Sequence, residues 1–219
     1  MSATPRIGLL GGAFDPPHIG HLIPAREAAE RLDLSKVLLV PAGGHPFKGG
    51  GGGMTPAAHR LAMTRLAAAG EPRLVVSELE TAREGVTFTI DTVRTLARSE
   101  PELEIHLLLG SDLLGELHLW REWERLTDYA HVVVMGRPGY RALDPRLPVA
   151  ELWCPLQVER VEALDRRRLG RFGVATLEVS ALEVSSTEIR SRLRTGREIR
   201  WFTPEPVREY IRAHGLYRG

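Results

Sequence analysis

The chain has 219 residues, 43% of them hydrophobic, which is enough to bury a sizeable core, and we expect a single domain over residues 1–219. Its 29 basic and 28 acidic residues give a formal net charge of +1, which argues against a protein that binds nucleic acid through a basic field. The single cysteine, Cys154, excludes an intramolecular disulfide, and the lack of a secretory-signal pattern or an apolar run of roughly 18 residues predicts a cytoplasmic protein without membrane contact.

Short apolar runs alternate with helical stretches along the chain, and each run has the unbroken hydrophobicity of a strand buried on both faces. The predicted strands are Ile7–Leu10, Val37–Val40, Leu74–Val76, Ile105–Leu109, Val132–Met135 and Val174–Val179. Helical spacing unites Leu22, Ala25, Ala29 and Leu32 after the first strand, and Leu61, Thr64 and Ala68 after the second. The alternation predicts an α/β fold, Rossmann-like and doubly wound, with a mostly parallel sheet and helices on both faces.

The C-terminal part, about residues 185–219, is predicted to form a small helical region. One helix begins at Ser185, and a second follows the Pro204 and Pro206 pair and runs to His214. Five consecutive glycines at 49–53 make an ordered conformation entropically unfavourable. Because further strands of the same kind follow them, we expect a mobile loop over the active site rather than a linker between domains.

A glycine-rich turn with the sequence GGAFDPPHIGH follows the first predicted strand. Gly11 and Gly12 allow close approach of a ligand, and the next helix offers its free N–H groups to an anion. His18 and His21 are three residues apart, so both imidazoles can reach the same phosphate chain. The turn lacks the G-x-G-x-x-G spacing of a dinucleotide fold and the Gly-Lys-Ser/Thr of a P-loop. Zinc is disfavoured because the two histidines lack a convincing third ligand, so we expect no protein-bound metal.

This turn resembles the G-x-F-D-P-x-H-x-G-H signature of the nucleotidyltransferase superfamily and, more narrowly, the nicotinate-nucleotide adenylyltransferases. Val184–Arg190, with the sequence VSSTEIR, resembles the family's S-S-T-x-I-R signature, and Ser185 with Glu188 also forms a capping-box pattern. Glu84–Val93 resembles the stretch E-G-P-S-Y-T-x-D-T that faces the pyridine ring in the family. Gly110-Ser111-Asp112 with the downstream Trp120 resembles the family's G-A-D block and its ring-stacking tryptophan.

The resemblance implies an enzyme that transfers the adenylyl group of ATP to nicotinate mononucleotide, with magnesium bound to the ATP. It makes His18 and His21 the catalytic residues, and His21 the donor at the α-phosphate. The implied ATP-binding residues are Gly11, Gly12, Ala13, Phe14, His18, His21, Gly110, Asp112, Ser185, Ser186, Thr187 and Arg190. The implied acceptor-binding residues are His45, Lys48, Thr87, Phe88, Asp112, Trp120 and Arg137. Selectivity for nicotinate is expected to come from backbone N–H groups near Thr87 and Phe88.

Two features leave alternatives open. The family commonly has P-P-H-K after the second strand, whereas this chain has Phe47 in the position of that histidine, and His45 is a candidate to replace it. Trp120 and Trp123 are three residues apart on an expected helix, where core packing would be the ordinary role of both. The replacement of the family histidine by Phe47 concerns the contacts to phosphate. The choice between core packing and ring stacking for Trp120 concerns the acceptor site.

The rival functions are an adenylyltransferase for nicotinamide mononucleotide or pantetheine phosphate, and a nucleotide sensor without catalysis. The Trp120 block and the chain length argue against the pantetheine type. A tRNA synthetase is excluded because its lysine-rich K-M-S-K-S loop cannot be built from Lys36 and Lys48, the only lysines. ATP and nicotinate mononucleotide are therefore the expected partners, and association of the chain into a homo-oligomer stays open.

Overall fold

The computed structural model of the chain describes residues 4–44, 53–136, 172–180 and 182–218, together with the backbone of residues 156–157. Its strands are β1 (Arg6–Gly12), β2 (Lys36–Pro41), β3 (Leu74–Val76), β4 (Glu104–Gly110), β5 (His131–Gly136), β6 (Leu156–Gln157) and β7 (Val174–Glu178). Its α-helices are α1 (Ile19–Arg31), α2 (Ala57–Ala68), α3 (Thr89–Ser99), α4 (Ser186–Arg194) and α5 (Glu205–Ala213). Short 3-10 helices at Ser111–Leu113, Leu117–Leu119 and Trp123–Asp128 connect β4 to β5.

The seven strands form one sheet in the order β3-β2-β1-β4-β5-β7-β6, and each of its strand pairs is parallel. The chain winds outward from β1 in one direction through β2 and β3, then returns to β4 and winds in the other. This confirms the doubly wound α/β prediction and all six predicted strands. The two-residue strand β6 was not predicted, because so short an element leaves no periodic pattern in the sequence.

Each central strand buries side chains on both faces of the sheet, as the unbroken apolar runs predicted. Ile7 and Leu9 of β1 join a core with Val93 of α3, whereas Leu10 joins a second core with Ala28 of α1 on the opposite face. Helices therefore cover both faces of the sheet. None of the helices within the described ranges has the length and apolar character that crossing a membrane requires.

Helix α2 buries a face slightly different from the predicted one. Helical spacing predicts Leu61 on that face, but Leu61 is only partly buried, and Arg60 and Met63 are buried with Thr64 instead. The prediction was wrong at Leu61 because a charged residue occupies the core-facing position one residue earlier. The opposite end of the fold matches expectation: α4 and α5 form the predicted C-terminal helices and pack against α2 through a third core.

A buried polar cluster lies where β4 and β5 begin. His131 Nε2 donates to Glu104 Oε1 (3.0 Å), while the Gly173 N–H donates to His131 Nδ1 (3.0 Å). His106 Nε2 lies 4.0 Å from the same carboxylate oxygen and has no hydrogen-bond partner among the residues that the structure describes. Although the three side chains are close enough to surround a metal ion, the Gly173 contact places the His131 proton on Nε2 and leaves that atom no lone pair. The cluster therefore acts as a hydrogen-bonded support of the sheet.

Candidate active site

A cleft of about 1070 Å³ opens at the carboxyl ends of the strands, beside β1 and β4, where the winding of the sheet reverses. Open α/β sheets bind their ligands at this position. The site residues predicted from the sequence that line the cleft are Gly11, Gly12, Ala13, Phe14, His18, His21, Thr87, Phe88, Gly110, Asp112, Trp120, Ser185, Ser186, Thr187 and Arg190. His45, Lys48 and Arg137 lie outside the described residues, as do glycines 49–52 of the predicted loop.

His18 and His21 form a stacked pair at the start of α1. His18 precedes the helix with an extended backbone (φ −149°, ψ 171°), and its ring centroid lies 3.7 Å from that of His21. The His18 backbone N–H donates to His21 Nδ1 at 3.3 Å, so in the neutral ring the proton of His21 sits on Nε2. His21 thus keeps one N–H donor, on Nε2, while its other nitrogen fixes the ring against the backbone.

Burial makes both imidazoles uncharged at neutral pH. His18 is only 5% exposed, and this burial lowers its pKa from 6.5 to about 4. Burial, and secondly repulsion from His18, lowers the pKa of His21 well below its usual value. In the free protein the pair consequently offers neutral N–H donors rather than positive charges.

Stability should fall as the pH drops from 6.5 to 5. His18 and His106 each have a pKa of about 4 in the fold, chiefly because of burial, compared with 6.5 in the unfolded chain. Between these values the unfolded state binds more protons, so acid lowers the free energy of unfolding, by about 1 kcal/mol per pH unit for each histidine. Urea unfolding at several pH values measures the slope. His106→Asn should flatten it, and a free energy independent of pH across this window would contradict the burial argument.

Helix α4 forms the wall of the cleft facing the imidazoles. Its N-terminus is capped by Ser185, whose Oγ accepts the Glu188 backbone N–H at 3.1 Å, as the capping-box pattern predicted. Ser186 Oγ donates to the Pro16 carbonyl oxygen (2.8 Å), and an Arg190 guanidinium N–H donates to the carbonyl oxygen of Asp15 (2.7 Å). The two signature segments, about 170 residues apart in sequence, are thereby bonded directly to one another.

Arg60 supports the histidine-bearing turn and was not among the predicted site residues. Its side chain is 1% exposed, and its guanidinium donates to the backbone carbonyls of Ala13 (2.9 Å), Gly43 (3.1 Å) and Thr55 (2.8 Å). These carbonyls belong to three separate segments around the cleft. The signal that could have revealed it is helical spacing, because Arg60 lies on the same face of α2 as Met63.

Asp15 and Tyr217 fasten the same turn to the C-terminal end of the chain and were also missed. The Tyr217 hydroxyl donates to Asp15 Oδ1 (2.7 Å), and the Thr55 backbone N–H donates to Asp15 Oδ2 (3.2 Å). Burial raises the pKa of Tyr217 well above its usual value, so the hydroxyl stays protonated and remains a donor. Phe14, which precedes Asp15 with a positive φ of 47°, is fully buried and lies with its ring 4.9 Å from that of His21.

Aromatic residues line the other end of the cleft. Phe88 immediately precedes α3, and Trp120 follows the 3-10 helix Leu117–Leu119 in extended conformation. The expected single helix through Trp120 and Trp123 is therefore wrong, because the segment is broken into short 3-10 turns. Trp123 belongs to the core at 7% exposure, whereas Trp120 is partly buried at the edge of the cleft.

The polar groups at this end are partly committed within the protein. The Thr87 backbone N–H donates to the Gly44 carbonyl (3.3 Å), and the Thr87 hydroxyl donates to Glu80 Oε2 (2.9 Å). Thr87 therefore lines the cleft without the free backbone donor expected of it. Asp112 lines the cleft beside Gly110, where an added Cβ would displace the Asp112 carboxylate.

The chain that forms this cleft is similar to the members of one known family. The family model described as cytidylyltransferase-like matches residues 9–192. The chain is 41% identical over 213 residues to a probable nicotinate-nucleotide adenylyltransferase of Thermus thermophilus, covering 97% of this chain and 100% of the relative. It is 42% identical over 218 residues to a probable nicotinate-nucleotide adenylyltransferase of Roseiflexus sp., covering 100% of each.

A solved structure supports the same fold. The nicotinic acid mononucleotide adenylyltransferase of Plasmodium falciparum, complexed with NaAD, superimposes with a TM-score of 0.72 at 19% identity, and the match covers 97% of each chain. At that identity the likeness concerns the fold, while the curated relatives carry the family assignment. The chain therefore belongs to the cytidylyltransferase-like family and, within it, to the nicotinate-nucleotide adenylyltransferases.

Proposed function

We propose that the chain transfers the adenylyl group of ATP to nicotinate mononucleotide, forming nicotinate adenine dinucleotide and pyrophosphate, and that the residues of the described cleft carry out this transfer. The observation that carries the residue assignment is the direct bonding of the turn before α1 to α4, through Arg190 and the Asp15 carbonyl. It directs two helix N-termini and a stacked imidazole pair into one cleft, as a triphosphate requires. Phe88 and Trp120 supply flat surfaces for a pyridine ring at the other end.

The chemistry needs alignment and charge stabilisation more than proton transfer. An oxygen of the acceptor phosphate, already an anion, forms a bond to the α-phosphorus of ATP, and the bond from that phosphorus to the bridging oxygen of pyrophosphate breaks. No general base is required. The enzyme has to hold two mutually repelling phosphates in line and stabilise the negative charge that grows on the α-phosphate and leaving oxygens.

Individual roles follow from position in the cleft. His21 donates its Nε2 proton as a hydrogen bond to an α-phosphate oxygen, and His18 holds the neighbouring phosphate. Arg190 and the hydroxyls of residues 185–187 hold the β- and γ-phosphates at the N-terminus of α4, although Ser186 also fastens the turn. Asp112 accepts a hydrogen bond from a ribose hydroxyl. Lys48, His45 and Arg137 stay as predicted contacts of the phosphates and the acceptor.

Magnesium enters as part of the substrate, bound to ATP by phosphate oxygens and water. The described residues that line the cleft form no group of three or more candidate metal ligands, and Glu80 accepts hydrogen bonds from the hydroxyls of Thr87 and Thr92. We also infer a cytoplasmic location, on the single cysteine of the chain.

Pyrophosphate release tests the function directly. The purified chain is incubated with ATP and Mg²⁺ and, in parallel, with nicotinate mononucleotide, nicotinamide mononucleotide or phosphopantetheine. Nicotinate mononucleotide should give the highest kcat/KM. Faster turnover of either other acceptor would replace the proposed substrate, and ATP binding without pyrophosphate from any acceptor would indicate a sensor.

A further inference from the structure

Arg121 is a cation at the acceptor end of the cleft to which neither the sequence signatures nor the comparisons assign a role. Among the described residues that line the cleft, the arginines are Arg121 and Arg190. Arg190 lies at the phosphate end, where its guanidinium donates hydrogen bonds to the Asp15 carbonyl and the Thr187 hydroxyl. Arg121 instead follows Trp120 directly, so its positive charge lies beside the aromatic surfaces proposed for the pyridine ring.

The guanidinium of Arg121 is held in place but keeps hydrogen-bonding capacity. Its Cζ lies 5.0 Å from the centroid of the Phe88 ring, a cation–π arrangement. Its nearest carboxylate oxygens, on Asp91 and Glu122, are 3.7 and 3.8 Å away, which is too long for hydrogen bonds. Arg94 makes the close contacts to the same two carboxylates, at 3.2 and 2.8 Å. Within the described part of the chain, Arg121 therefore has N–H groups free to pair with a ligand.

A nicotinate acceptor needs such a partner, because its ring carries a carboxylate that loses water when it enters the cleft. The expected donor region comprises Thr87 and Phe88, and Thr87 already uses its backbone N–H and its hydroxyl for Gly44 and Glu80. A guanidinium presents a planar pair of N–H groups that matches a carboxylate in two parallel hydrogen bonds. A nicotinamide group is neutral and cannot accept two such charge-assisted bonds.

We propose that Arg121 is a specificity-determining residue that pairs with the ring carboxylate of the acceptor and so favours nicotinate over nicotinamide mononucleotide. The proposal rests on the proposed function, because it assigns a residue to the selectivity of that reaction. The cation–π contact with Phe88 orients the guanidinium, and Asp91 and Glu122 make their closer contacts with Arg94.

The test compares Arg121→Gln, Arg121→Lys and the wild-type chain with both pyridine mononucleotides at saturating ATP and Mg²⁺. Arg121→Gln should lower the ratio of kcat/KM for nicotinate over nicotinamide mononucleotide by about 10- to 100-fold, the effect of losing a charge-assisted hydrogen-bonded pair. The loss should fall on the nicotinate substrate, with the KM for ATP unchanged. Arg121→Lys, which keeps the charge but not the fork, should give an intermediate ratio.

Arg125→Gln is the matched control. Arg125 is as exposed as Arg121 and also contacts Glu122, at 3.1 Å, but it does not line the cleft, so its loss should leave the ratio unchanged. Calorimetric titration of each mononucleotide without ATP provides a second readout, in which Arg121→Gln should weaken only nicotinate mononucleotide. An equal loss for both acceptors, or an unchanged ratio, overturns the role of Arg121. A wild-type chain that releases no pyrophosphate with either acceptor overturns the proposed function instead.

Discussion

Removal of the His21 imidazole, in His21→Ala, is expected to lower kcat by on the order of 100-fold or more while the KM for ATP changes little. In the proposed mechanism, the Nε2 proton of His21 stabilises charge that develops only in the transition state. The neighbouring His18 and the N-terminus of α1 remain to bind the ground state. Steady-state rates at saturating ATP and acceptor measure the effect.

Substituting His21 with a neutral hydrogen-bond donor tests whether catalysis needs the N–H donor or a positive charge. Because the pKa of His21 is lowered well below its usual range, a neutral side chain should partly replace it. His21→Gln, whose amide nitrogen can approach the position of Nε2, should therefore be more active than His21→Ala. His59→Ala removes a histidine of α2 outside the cleft lining and should leave kcat near the wild-type value. A kcat unchanged in His21→Ala would exclude the residue from catalysis.

Arg60→Leu should destabilise the fold by about 3–5 kcal/mol, the usual effect of removing one partner from a buried charged network. The substitution leaves the carbonyls of Ala13, Gly43 and Thr55 without the Arg60 donor, and it removes a positive charge near the buried Asp15 carboxylate. Equilibrium urea unfolding, monitored through the tryptophans, gives the free energy of unfolding.

Arg65→Ala is the control for this effect. Arg65 lies on the same helix, but its side chain is 55% exposed and its partner is the exposed Glu78, so the change should stay within about 0.5 kcal/mol. Arg60→Lys should be intermediate, because an ammonium group keeps the charge but cannot reach all three carbonyls. A loss below about 1 kcal/mol in Arg60→Leu would show that the three segments are held by other contacts.

The sheet and both signature segments, the turn before α1 and the start of α4, could be predicted because their sequence patterns are local. The strands of a doubly wound sheet are buried on both faces, so an unbroken run such as Val37–Val40 identifies a strand without knowledge of its neighbours. The turn before α1 and the capped start of α4 each hold their pattern within a dozen residues. Their proximity in the fold could be inferred only by assuming that both segments bind the same triphosphate.

The supporting contacts could not be predicted because they join distant parts of the chain. The bond from Tyr217 to Asp15 spans 202 residues, and no spacing rule connects them. Helical spacing places Arg60 on the buried face of α2, but that spacing does not predict the three carbonyls from separate segments that accept its hydrogen bonds. The prediction around Trp120 was wrong because it relied on a local pattern. A three-residue spacing is typical of a helix, but this segment is divided into short 3-10 turns.

In the proposed ATP complex, the stacked imidazoles couple ATP affinity to acidity. The negative charge of the bound polyphosphate raises both pKa values from their lowered starting points, so the rings take up protons only as the medium becomes acidic. Any proton they then acquire comes from the solvent, so complex formation draws on the surrounding buffer and tightens as the medium becomes more acidic, until carboxylates and phosphates begin to titrate. Burial of the pair therefore makes nucleotide capture a proton-linked event.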